Sequence, residues 1–272
     1  MADQPADSVA LTTYRFLRGG MVVMVVLLGG ALVAERWHAT CWQTSISAYY
    51  FTTAHTVFIG ALYAVGAMLI VYQGTSDTEN TLLNLAGVLS FVIATVPTTR
   101  PILLCSSADP VISTAGPATL YNIWTVAVVL ALSRVASWWL FDRAGRTRSP
   151  LAGTAIWVQR ALLGIGVVIL AAAPDWFRAN GHGIAAASMF GAIVLTVFNT
   201  AFGSPASLCG AGYRRVYQAI SIAMAATLIA TVAVHLLLDN FNHTVLVVET
   251  ALIFEFAAYW VVQTIQDNSC TR

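Results

Sequence analysis

The strongest constraint on this chain is where its charges are missing. No Asp, Glu, Lys or Arg occurs across Trp37–Ser76, Pro110–Ser133, Ala179–Tyr213 or Val216–Leu238. A helix that crosses a bilayer needs about 20 mostly apolar residues, and each of these runs can hold one. The composition agrees. Hydrophobic residues make up 58% of the chain and charged residues 9%, and the mean hydropathy is +0.76. A soluble domain carries about 25% charged residues, so lipid must be the main solvent here. Open strands are excluded, because unpaired backbone groups in hydrocarbon cost several kcal/mol, and the runs are too long for barrel strands. The fold class is therefore all-α, a polytopic integral membrane helical bundle.

Hydropathy predicts eight spans, near 16–34, 50–72, 82–97, 118–141, 154–174, 184–202, 215–238 and 244–266. A short polar tail (1–15) precedes one transmembrane domain (16–266), and a C-terminal tail (267–272) follows it. Arg15 and Arg18 stand before the first apolar run. That run is longer than a signal-peptide core, and Ala31 and Ala34 lack the cleavage spacing, so it reads as a retained helix. Arg15, Arg18, Arg143, Arg146, Arg148, Arg214, Arg215 and Arg272 share one side of an even set of spans. Arg36, Arg100 and Arg178 fall on the other. The positive-inside rule then predicts both termini in the cytoplasm and a multi-pass protein of the plasma membrane.

All 13 basic residues are arginine. Without lysine there is no retinal or pyridoxal-phosphate Schiff base and no P-loop. GxSxG, HExxH, CxxC and GxGxxG are absent as well. The reading leans away from an enzyme, with no catalytic residue and no cofactor assigned. Membrane lipids are the expected partners, nucleic acid is not one, and a homo-oligomer or a second membrane protein is left open.

The candidate site lies at Ser45–Tyr72, where a polar, aromatic approach (Ser45, Ser47, Tyr49, Tyr50) feeds an apolar helix carrying His55 near its start. An outer-facing cavity is expected there, with Arg100 and His235 at its rim. Trp37, Trp42, Tyr49 and Tyr50 also fit an interfacial aromatic belt. Thr52, Thr56, Gly60 and Ala64 recur at i+4 and predict a helix-packing stripe. Gly29 and Gly30 predict close contact on the first helix, and Asn84 a hydrogen bond to a neighbouring one. Glu255 falls near mid-bilayer and is expected to pair with Arg134 or Arg160 or to stay protonated. Those three are the predicted buried charges.

All five histidines fall on the predicted outer half. His38, His182 and His243 are placed in loops, and His55 and His235 within about a turn of the surface. Glu35, Asp109, Asp175 and Asp239 share that face. Imidazole and carboxylate are zinc ligands, but no HxH or HxxxH spacing supports a site, so zinc is the runner-up and not the assignment. Cys41 and Cys105 lie on the same predicted oxidising face and are expected to form a disulfide. Cys209 and Cys270 fall on the other face and are expected as free thiols.

The segments SISAYYFTTAHTVFIGALYAVGAMLIVYQG (Ser45–Gly74), LLNLAGVLSFVIATVPT (Leu82–Thr98), HGIAAASMF (His182–Phe190) and ETALIFEFAAYWVVQT (Glu249–Thr264) resemble a bacterial integral-membrane family of unknown function, best populated in actinobacteria. The pattern before the second helix is more distantly similar to the autophagy-modulator (DRAM-like) membrane family. That likeness implies a role connected with membrane lipids. It departs from that family at Ala48, where an acid would stand, and in its eight spans against six. The function expected is binding or translocation of a lipid or small amphiphile through an outer-facing cavity. A histidine-ligated, metal-dependent lipid hydrolase and a proton-coupled small-molecule transporter are the alternatives.

Overall fold

The computed structural model describes residues 6–74, 76–101, 117–141, 150–203, 211–237 and 242–270. Among them the chain is all helical: α1 (Ala6–His38), α2 (His55–Val71), α3 (Asp77–Thr95), α4 (Pro117–Phe141), α5 (Pro150–Ala172), α6 (Pro174–Phe198), α7 (Ala211–Leu237) and α8 (Thr244–Cys270). A 3-10 turn (Ser47–Phe51) precedes α2, and a π turn (Asn199–Gly203) closes α6. Five helices are long and apolar enough to cross a membrane, and α2 is a shorter apolar helix. This is a helical membrane protein.

The packing pairs define the architecture. α1 packs on α2, α2 on α3, α3 on α6, α6 on α7, α7 on α8, and α8 back on α1. These six close a ring. α4 packs on α3, and α5 on α3 and α6, so both lie outside the ring. The start of α1 and the end of α8 meet, because Arg15 donates to the Asp267 carbonyl at 3.0 Å. This is called the terminal end of the bundle below.

α3 is the hub because its surface is small and apolar on nearly every side. Leu83, Ala86, Gly87, Ser90, Ile93 and Ala94 are all buried. Helices approach closely in lipid where side chains are small. A Cβ on Gly66 would lie 2.9 Å from the Gly87 carbonyl oxygen, and one on Gly87 would lie 2.7 Å from that of Gly66. Ser90 completes the contact by donating to the Leu62 carbonyl at 2.8 Å. The predicted stripe is not the packing face: Thr56 and Gly60 are exposed and only Thr52 is buried. Nor do Gly29 and Gly30 serve as contacts, since a Cβ on either meets nothing within 4 Å. The i+4 spacing holds for both helix faces, and the face opposite α3 carries the small residues by composition alone.

Five helices (α1, α3, α5, α6 and α7) begin four or more residues earlier than hydropathy predicts, and local capping chemistry accounts for two of those starts. α3 starts at Asp77, where the Ser76 hydroxyl accepts the Glu79 amide at 3.2 Å as an N-cap. α6 starts at Pro174, one residue after α5 ends, with Pro at N1 and Asp175 in the first turn. His182 is therefore inside a helix and not in a loop.

Candidate functional site

At the end opposite the termini, the segment expected to line a cavity is folded shut. Ser47, Tyr49, Phe51, Ala54 and Phe58 are buried. The Glu249 carboxylate of α8 accepts the Ile46 amide at 2.6 Å and the Ser47 hydroxyl at 3.3 Å. The Ser45 hydroxyl caps the 3-10 turn by accepting the Ala48 amide at 3.0 Å. Leu246 donates to the Thr44 carbonyl at 3.1 Å, and the His243 ring donates to that of Trp42 at 3.2 Å. His55 bonds the Tyr50 carbonyl through Nδ1 and packs edge-on against the Tyr50 ring. Arg100 lies over Phe51, 5.9 Å from the ring centre. His235 sits on α7, and its side chain lies outside the described residues. Burial raises the Tyr49 hydroxyl above the ordinary phenol range, so it stays protonated. Tyr49 is an interior residue and Tyr50 is half-buried, whereas exposed Trp37 and Trp42 fit the aromatic belt. The segment works as a plug that ties the α1–α2 connection to α8.

The histidines are spread out. His182 is buried and bonds the Val96 carbonyl at 2.6 Å. Among the described residues no group of three or more His, Cys, Asp or Glu side chains comes together. Asp109, Asp239 and Cys105 lie outside the described residues, and with Cys105 the expected disulfide.

The terminal end holds a buried polar network that sequence reasoning missed. Arg18 forms an ion pair with Asp267 and donates to the Tyr72 hydroxyl at 2.6 and 3.1 Å. Tyr72 donates to Gln263 Oε1 at 3.2 Å, and Gln263 Nε2 donates to the Tyr259 hydroxyl at 2.6 Å. Tyr259 donates to Glu79 Oε1 at 3.0 Å and lies 3.1 Å from the Thr200 hydroxyl. Every donor points the same way, from the guanidinium to the Glu79 carboxylate. Glu79 is fully buried, and Gly74 is folded so closely over its carboxyl that a Cβ there would fall 2.6 Å away. A buried carboxyl needs hydrogen-bond partners, and the Tyr259 hydroxyl at the end of this chain supplies one. The network pins α1, α2, α3, α6 and α8 together.

The predicted buried charges need correction. Arg134 and Arg160 are exposed on the protein surface, and the buried charged residues among those described are Arg18, Glu35, Glu79 and Glu249. Glu255 does not pair with an arginine. It is half-buried and accepts the Thr227 hydroxyl of α7 at 2.9 Å. α4 and α5, which carry the two arginines, lie on the other side of the ring. Arg160 stands over Trp157, and Arg134 donates to Asn84 Oδ1 at 3.3 Å. Asn84 does bond a neighbouring helix, as expected, but as an acceptor from that arginine.

An apolar cavity lies on the far side of α3. A cavity of about 290 Å³ lies between α3, α4, α5 and α6. Leu89 and Val92 of α3, Ala127 and Leu130 of α4, Gly166 of α5 and Ala185 of α6 line it. Its lining is apolar apart from Thr95, Ser188, the Trp176 indole and Arg134. One end is closed by a small apolar cluster of Val96, Ile123 and Leu170, against which Phe177 packs. Arg134 marks the other. Ligand pockets are concave, mostly apolar and carry few polar groups, and this cavity fits that description. Comparisons with protein-family models, with curated proteins and with solved structures each returned no match.

Proposed function

We propose that the protein binds a lipid or small amphiphile in the cavity between α3, α4, α5 and α6 and holds or passes it within the membrane. The observation that carries this reading is the cavity itself: apolar, and placed between a pinned ring and two outer helices. The polar networks at both ends lock the ring, so the outer pair is the part left to yield when a guest enters. This moves the site from the plug at His55 to the far face of α3.

In the same reading all eight helices cross the plasma membrane, with both termini cytoplasmic. The meeting of α1 and α8 at one end and the arginine bias support it. The Cys41–Cys105 disulfide remains part of the proposal, supported by Cys41 not being a free thiol.

Two glycines of α5 supply a matched test. A Cβ on Gly166 or on Gly164 meets nothing within 4 Å, but only Gly166 lines the cavity. Native mass spectrometry of detergent-purified protein should show co-purified lipid on the parent and on Gly164→Phe, and its loss from Gly166→Phe. Equal retention by all three would sink the proposal.

A further inference from the structure

We propose that the occupant of this cavity is a single-chain amphiphile with an acidic headgroup, a carboxylate or a phosphate monoester, bound at Arg134. This rests on the cavity reading above and adds the chemistry of the guest. Three observations carry it.

The first is charge. Among the described residues Arg134 is the only charged one that lines the cavity. An ionisable side chain on a membrane helix is a functional-site hypothesis by default. The second is position. Asn84 Oδ1 accepts from Nη1 of Arg134 at 3.3 Å. A second bond runs from Asn84 Nδ2 to the Asn80 carbonyl at 2.7 Å and fixes the amide. The guanidinium is thus held at the α3 side of α4, at the cavity's terminal end. Its fork of donors matches a carboxylate or phosphate in a way an ammonium does not.

The third is length. From Arg134 to Ile123 the α4 helix runs about 16 Å, at about 1.5 Å per residue. The hydrocarbon of one leaflet is about half of 30 Å. A headgroup at Arg134 therefore places a tail of roughly one leaflet's length along Leu130, Ala127 and Val92, ending against Val96 and Leu170. At about 290 Å³ the space is at the small end of the range for ligand pockets, about 300–1,000 Å³, which suits one chain and not two.

The test uses the full chain in a maltoside detergent and three probes sharing one tail: laurate, dodecyl phosphate and neutral monolaurin. Affinities are read by native mass spectrometry on the parent, Arg134→Gln, Arg134→Lys and Gly166→Phe. The parent is expected to bind at least one anion about ten-fold tighter than monolaurin, the scale of one charge-assisted pair. Arg134→Gln should bring the anions and monolaurin to within about two-fold of one another, and Arg134→Lys should restore part of the gap. A gap confined to laurate or to dodecyl phosphate supports the inference and names the headgroup. Equal binding of all three probes by the parent overturns it, as does a gap that survives in Arg134→Gln. In either case weaker monolaurin binding by Gly166→Phe keeps the cavity reading alive. Monolaurin binding unchanged in Gly166→Phe overturns the cavity and this inference together.

Discussion

Tyr259→Phe is the sharpest test of the ring as a locked frame. The change removes one oxygen and almost no volume, so packing against Trp260, Tyr217 and Phe256 is kept. Three groups lose a partner: Glu79 Oε1, Gln263 Nε2 and the Thr200 hydroxyl. Thr200 retains its bond to the Thr196 carbonyl, so its loss is small. Glu79 and Gln263 are deeply buried, and an orphaned buried polar group costs about 1–3 kcal/mol, more when charged. Hydrogen bonds between membrane helices average only about 0.6 kcal/mol, because the unfolded chain in lipid also finds partners. The lower figure does not apply to a fully buried carboxyl that this hydroxyl bonds directly. The expected destabilisation is about 2–4 kcal/mol. Reversible unfolding in mixed micelles measures it, with Tyr121→Phe on the exposed face of α4 as a control near zero. Adding Glu79→Gln to Tyr259→Phe should recover part of the loss, because a buried amide loses less than a carboxyl when that hydroxyl is gone. A Tyr259→Phe protein within about 0.5 kcal/mol of the parent, the range of an ordinary surface change, would refute the reasoning.

Three further outcomes follow from the same contacts. Gly87→Val should destabilise by about 1–3 kcal/mol, since its Cβ would meet backbone of α2 that has nowhere to move; the same unfolding assay reads it. Glu249→Ala strands the Ile46 amide and the Ser47 hydroxyl and should cost about 2 kcal/mol, with faster proteolysis between α1 and α2, while Glu249→Gln should cost less. Gly74→Ala presses on the Glu79 carboxyl, and its loss should be smaller in a Glu79→Ala background than in the parent.

The helical class was legible because lipid leaves the backbone no other choice, and charge-free runs report it directly. Element ends were less so. The starts of α3 and α6 are set by Ser76 and by Pro174, local capping chemistry that hydropathy averages away. Packing faces were misread for a related reason. Gly60 and Gly66 look alike in sequence, and only the partner, Gly87, decides which is a contact. The network was missed because its members were read one at a time, with Arg18 placed only as a flank of the first apolar run. Tyr259, Gln263, Gln266 and Asp267 do fall on one face at helical spacing, and that stripe was the available signal. The cavity left no mark in the sequence, since it is made of ordinary Leu, Val, Ala and Gly on four helices. Only Arg134 stood out, and it was read as a partner for Glu255 when it borders the cavity instead.

The measurement that bears most directly on the account is a density map of the protein in lipid nanodiscs, with α3 to α6 resolved. The account predicts a continuous rod of non-protein density between α4 and α5, about 16 Å long, running from the Arg134 guanidinium to Val96 and Leu170. A map in which α4 closes onto α5 and leaves no density there, or in which lipid sits instead beside His55, would contradict it.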